Sequence, residues 1–287
     1  MNNSTDNKIQ CPNEISPLLS AEGPSISTKD RIPSVSACLF SENGIELLSI
    51  LAKKKVHVSR IYLSELDPTI TIEKVKKIYR SQSVEIKVLK IGQTIDDIGR
   101  EEADVGILLL LWWPYILKKN ELYCYKYVIN VHPSLLPYGR GKYGYFWSIL
   151  NNEPFGASLH LVDEGVDSGL VLVQIRVEVL ATDTGGDLYV KGVRACMKLF
   201  EDNIYLLSFE KTLENLINNR NKNHSRGSYH DKADFNRVCQ EVEQGGLSLE
   251  RAIRYLRSRT FHNGRSFRYM EDGKTYECRL CINEVDP

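Results

Sequence analysis

From residue 34 onward, short apolar runs alternate with stretches whose apolar residues recur every three or four positions. SVSACLF predicts a buried strand, SENG a turn, and 44–55 a helix. RIYLSE, VEIKVLKI, DVGILLLLWW and YVINVH predict further strands, with helices over TIEKVKKIYRSQ and TIDDIGREEA between them. Strands that alternate with helices call for a mostly parallel sheet covered on both faces. The expected fold class is therefore α/β, a doubly wound, Rossmann-like sheet. The first strand-to-helix turn has one glycine and no G-x-G-x-x-G, which argues against a pyrophosphate cofactor held there. Ligands of such sheets bind beyond the carboxyl ends of the strands. That rule points to the turns after LLLLWW and YVINVH.

From residue 156 the pattern changes. GASLHLVDEG and GLVLVQIRVEV read as two strands across a turn, 185–207 as a long helix, and 215–230 as a polar loop. A small appendage follows, with an amphipathic helix over 248–257 and a hairpin turning at Asp272-Gly273. Residues 1–33 are rich in Ser, Asn, Pro and acidic groups and read as a disordered or loosely ordered arm. The expected divisions are this arm, a catalytic domain over 34–210, and a C-terminal α+β appendage of helix and hairpin over 211–287.

Composition narrows the partners. Lysine plus arginine equal aspartate plus glutamate at 37 each, so no charge footprint calls for nucleic acid or an acidic membrane. The longest apolar run is too short to span a bilayer, and the polar N-terminus shows no secretory signal. Seven scattered cysteines form no visible disulfide framework, which fits a reducing cytoplasm. Cys278 and Cys281 form a single C-x-x-C without a second ligand pair, so no metal is expected.

The chemistry concentrates in NVHPSLLPYGRGKYGYFWSILNNEPFGASLHLVDEGVDSG, from Asn130 to Gly169. Asn130 and His132 stand two apart on a strand end, so their side chains share a face. A carboxamide N–H can stabilise an oxyanion, and an imidazole exchanges protons near neutral pH. Asp167, in a glycine-bounded turn, can fold a carboxylate back toward them and fix the imidazole. Together the three groups suit acyl transfer to an amine through a tetrahedral intermediate. On spacing alone, ordinary turn and surface roles are the commoner outcome for such residues.

Over this segment the chain resembles the 10-formyltetrahydrofolate-dependent formyltransferases. The resemblance rests on Asn130 to Pro137, Arg140-Gly141, Trp147-Ser148-Ile149, Gly156 to His160 and Asp163 to Gly169. It implies a formyltransferase catalytic domain with Asn130, His132 and Asp167 as the catalytic residues and 10-formyltetrahydrofolate as formyl donor. It further implies a folate pocket bordered by Leu110, Leu111 and Trp112, by Ser134, Leu135 and Leu136, and by Asp163 and Val166. The chain departs from the pattern by about one residue near Glu153-Pro154 and by Gly144 where many members carry proline.

The tail is similar in pattern to the sugar N-formyltransferase branch, which implies a nucleotide-linked amino-deoxy sugar as acceptor. Arg140 and Lys142, with Arg254, Arg257 and Arg259, are candidates for its pyrophosphate. Tyr143, Tyr145 and Tyr229 are candidates for its base. His160 reads as a structural histidine. The strand-like tail could pair across a homodimer. Alternatives are another small amine or a transfer RNA as acceptor, a hydrolase releasing formate from the same donor, and a folate- or nucleotide-binding module without catalysis.

Overall fold

The computed structural model describes residues 34–80, 83–95, 106–207, 210–219, 227–245, 247–261 and 266–284. The expected arm over 1–33 and the helix expected over TIDDIGREEA fall, wholly or almost wholly, outside these residues. Strands β1 (Val35–Leu39), β2 (Val58–Ser64), β3 (Glu85–Leu89), β4 (Ile107–Leu111) and β5 (Tyr127–His132) alternate with helices α1 (Ser41–Lys53), α2 (Ile72–Ile78) and α3 (Lys119–Leu122). The chain continues through β6 (Arg140–Gly141), α4 (Gly144–Leu150), β7 (Phe155–Leu161), β8 (Val171–Val177) and α5 (Gly185–Asp202). The appendage adds α6 (Glu210–Asn218), β9 (Tyr229–His230), α7 (Lys232–Gln244), α8 (Leu249–Ser258) and the hairpin β10 (Phe267–Glu271) and β11 (Lys274–Cys278).

Seven strands form one sheet in the order β3-β2-β1-β4-β5-β7-β8. β1 to β5 are parallel, while β7 runs antiparallel to both of its neighbours. β1 and β4 are buried along their whole length, as central parallel strands covered on both faces should be. Alternation then sorts side chains to two faces. Leu39, Leu109, Leu111, Ile129, Val131 and Leu159 enter the larger core beneath α1 and α5. Cys38, Tyr62, Leu108, Leu110 and Val128 form a smaller core on the opposite face. Asn130 and His132 share that second face with Val128, because they continue its period of two.

Several expected boundaries change. SENG is the first turn of α1 and not a separate turn; Ser41 opens it at φ 62, and its N–H donates to the Asp67 carboxylate. The helix expected over 185–207 ends at Asp202 and gives way to a 3-10 turn, Ile204–Leu207. The polar loop expected over 215–230 is helical as far as Asn218, and β9 occupies its end. α7 was not anticipated. Its start is nonetheless written as Asp231-Lys232-Ala233-Asp234, where Asp231 accepts the Asp234 N–H and Asp234 accepts the Asp231 N–H. At the hairpin tip, Asp272 and Gly273 both take positive φ, 51 and 74, as a type I′ turn requires.

Candidate active site

β5 pairs antiparallel with β7, so Asn130 stands opposite His160 and His132 opposite Ser158. Directly opposed side chains of an antiparallel pair point to one face. This register brings three of these four side chains to bear on Asp167, or on a group bound to it, at the carboxyl end of β5. Asp167 itself adopts φ 48, in the left-handed region that a short polar side chain tolerates. Its Oδ2 accepts the Gly141 N–H at 2.9 Å and lies 3.7 Å from His132 Nε2. Its Oδ1 lies 3.6 Å from His160 Nε2. The expected trio is thus assembled, with a second imidazole at its centre.

His160, expected as a structural histidine, sits inside this cluster. It is 1% exposed, its Nδ1 donates to the Leu161 carbonyl at 2.8 Å, and its Nε2 accepts from Asn130 Nδ2 at 3.2 Å. These two partners select the Nδ1–H tautomer and aim the Asn130 carboxamide. Burial pushes His160 down to about 4, against the pull of the Asp167 carboxylate. His160 is therefore a neutral orienting group at physiological pH and not a proton donor. Its folded-state pKa lies below the unfolded value near 6.5, so the associated stability is complete above pH 6.5 and declines as pH falls toward 4. Thermal melts should lose about 1 kcal/mol per pH unit below pH 6, and His160→Asn should flatten that slope. A slope unchanged in the variant would assign the loss to other groups.

The loop after β5 is pinned by two residues not singled out beforehand. Ser158 accepts the Leu136 N–H and donates to the Ser134 carbonyl at 2.7 Å. Gln174, its neighbour on β8, donates to the Leu136 carbonyl at 2.6 Å. His132 Nε2 meets the Gly139 carbonyl of the same loop at 3.1 Å. Only the antiparallel register of β5, β7 and β8 could have revealed Ser158 and Gln174.

The residues expected to border a folate pocket take different positions. Leu110 is buried on the face of Asn130, its partner in the β4–β5 ladder, whereas Leu111 points into the opposite core. The ladder ends at Leu110–Asn130, so the backbone of Leu111 and Trp112 continues past it beside the site. Trp112 turns there with φ 66, and the buried Nε1 of Trp113 has no partner among the described residues. Ser134 and Leu136 are buried and Leu135 is half-buried. Asp163 braces its loop, its Oδ1 accepting the Gly165 N–H and the Ser168 hydroxyl, and Val166 is half-buried beside Asp167.

β6 and β9 pair, setting Arg140 opposite Tyr229 with its guanidinium 5.8 Å from that ring. Arg140 Nε is buried and unpartnered among the described residues, and Tyr229 is 45% exposed. Lys142 is exposed, while Tyr143 turns at φ 64 to pack on Phe235 at 4.7 Å. Arg254 is committed to Glu250 and Arg257 donates to the Ala181 carbonyl. Arg259 rests over Phe235 at 5.0 Å. Like Arg140, both Arg257 and Arg259 keep a buried Nε without a partner among the described residues.

The family described as Formyl transferase matches residues 50–204, more than half of the chain. A methionyl-tRNA formyltransferase of Agathobacter rectalis is 32% identical over 144 residues, 47% of this chain and 46% of that protein. A GDP-perosamine N-formyltransferase of Brucella melitensis is 40% identical over 80 residues, 28% of this chain and 31% of that protein. The matched segment spans less than half the length of these curated relatives. The solved structure of a sugar N-formyltransferase from Shewanella sp FDAARGOS_354 superposes with a TM-score of 0.67 at 19% identity. That likeness of fold covers 89% of this chain and all of the other.

Proposed function

Given that this chain belongs to the formyl transferase family, we propose that it moves a formyl group from 10-formyltetrahydrofolate to the amine of a nucleotide-linked amino-deoxy sugar. The observation that carries the reading is the convergence of Asn130, His132 and Asp167, with the Gly141 N–H fixing the carboxylate. The backbone at Trp112, past the end of the β4–β5 ladder, and the Trp113 indole, unpartnered among the described residues, fit a donor that brings hydrogen-bonding edges and a flat ring. Trp112, the loop of Ser134 to Leu136, and the turn carrying Asp163 and Val166 would hold it. When bound, the donor supplies the formyl carbon.

The rest is the work of this chain's own groups. One N–H of Asn130 is spent on His160, which leaves the other for an oxygen gaining negative charge. His132, or a water held by Asp167, takes the proton that an attacking amine must lose. Asp167 Oδ2 faces His132 Nε2 at 3.7 Å and orients the ring. Arg140 and Arg259 supply guanidinium groups for a pyrophosphate, and Tyr229 an exposed ring for a base.

A sugar acceptor is supported by the Brucella relative and by a shared fold that extends beyond the family match into the appendage. The Agathobacter relative raises transfer RNA as the competing acceptor. The balanced charge of 37 against 37 disfavours it, since a polyanion is held mainly by excess lysine and arginine. The test incubates the protein and 10-formyltetrahydrofolate with nucleotide-linked amino sugars, with initiator transfer RNA, and with no acceptor. A sugar gaining the mass of one formyl group supports the proposal. Formylation of the RNA alone, or release of formate alone, would overturn it.

The same reading places the enzyme in the cytoplasm as a homodimer. β10 and β11 form a separate two-stranded sheet with Tyr269, Met270 and Tyr276 exposed at 44%, 78% and 41%. Such a hairpin is marginal in water on its own, and a second copy would cover it. Sedimentation should give about twice 32.8 kDa, and Tyr269→Lys with Tyr276→Lys, a stacked pair on one face, should return the monomer. A monomeric parent would refute this part of the reading.

A further inference from the structure

Outside the catalytic cluster, a half-buried network centres on the Glu153 carboxylate. It is 13% exposed, accepts from His230 Nε2 at 2.9 Å and Asn151 Nδ2 at 3.2 Å, and takes the Ser228 hydroxyl on its other oxygen. The His230 ring stacks on Trp147 with centroids 3.9 Å apart and planes within 13°. The Trp147 indole donates to the Lys142 carbonyl at 3.0 Å. Because the carboxylate lies between serine and histidine, with the serine bonded to it and not to the imidazole, this is not a nucleophile triad.

What the carboxylate holds is a strap. Residues 227–231 run beside the catalytic loop 137–142 and are zipped to it by three backbone hydrogen bonds and a fourth to a side chain. Ser228 N–H donates to Pro137, Arg140 N–H to Ser228, Lys142 N–H to His230, and Gly141 lies so close that a Cβ there would stand 2.2 Å from the His230 carbonyl. The fourth bond runs from the Gly139 N–H to the Ser228 hydroxyl, which Glu153 also binds. Gly141, in the middle of this zipper, donates its N–H to Asp167. Tyr229, carried by the strap, lies under Arg140.

We infer that Glu153 and His230 are positioning residues: they lock the strap onto the catalytic loop, and thereby set both the Gly141 N–H that holds Asp167 and the Arg140–Tyr229 face that receives the acceptor. Neither touches the reacting atoms. The kinetic part of the inference rests on the function proposed above, while the mechanical part does not.

The experiment therefore has two arms, applied to the full chain and to Glu153→Gln, Glu153→Ala, His230→Gln and His230→Ala. Amide hydrogen exchange is followed in 137–142 and 227–231. It should rise about tenfold or more in both segments for the alanine variants and less for the glutamines, which keep one hydrogen bond each. Steady-state kinetics with donor and amino-sugar nucleotide should show acceptor KM raised about tenfold, donor KM within about twofold, and partial rescue by glutamine. Exchange in 137–142 that matches the parent would overturn the lock. Faster exchange with unchanged acceptor KM would overturn its link to the acceptor. If the parent itself transfers no formyl group, the functional reading falls and the exchange arm still decides the lock. Should the alanine variants fail to fold, the glutamine pair carries both readouts.

Discussion

His132→Ala and Asp167→Ala should each lower formyl transfer by about 10³-fold, while binding of the folate donor stays within a few-fold of the parent. The two groups face each other at 3.7 Å, and Asp167 is held by a backbone N–H and not by the donor. Removing either leaves the pocket walls in place. Because the pair works as a unit, the double variant should be hardly slower than the slower single one. Rates are compared by single-turnover transfer, and donor affinity by equilibrium titration. Either variant transferring at the parent rate would remove these residues from the chemistry. Additive losses in the double variant would mean that they act separately.

Gly169→Ala should lower transfer by about 10²-fold or more without touching any reacting group. A Cβ at residue 169 would stand 1.9 Å from the Leu161 carbonyl oxygen and 2.7 Å from its carbon, so backbone must move. The site of that clash is the junction where Leu161 N–H meets the Leu170 carbonyl at 2.8 Å, two to three residues from Asp167. A shift of about 1 Å in a catalytic group can cost about 10²-fold. The defect should appear in turnover with little loss of global stability, because the turn lies outside both main cores. An alanine variant with the parent's rate would show that the turn can slide without carrying Asp167, and the coupling argued for it would be wrong.

The two predictions draw on different levels of information. Asn130 and His132 were legible because a strand's period of two places them on one face whatever else the chain does. Asp167 was offered by its glycine-bounded turn, and the family resemblance narrowed that reading, since a turn of Asp, Glu, Gly and Ser has many uses. His160 was read as structural, and its place beside Asn130 was not foreseen for a definite reason. Its role depends on standing opposite Asn130 across an antiparallel pair, and nothing local in GASLHLV states the register. The same holds for Ser158 and Gln174, whose bonds to the SLLP loop cross from β7 and β8. α7 was overlooked although its capping box is written in the sequence, because its apolar positions are sparse and a polar stretch precedes it.

Local pattern determined the alternation of strands and helices, the buried central strands and the hairpin turn, because each depends on periodicity or on a few backbone angles within one segment. Tertiary structure decided which imidazole orients Asn130, which loop the strap is zipped to, and how Arg140 meets Tyr229. Those contacts join residues 30 to 89 positions apart. Their geometry follows from strand order and register, and these are properties of the packed sheet that no single segment contains.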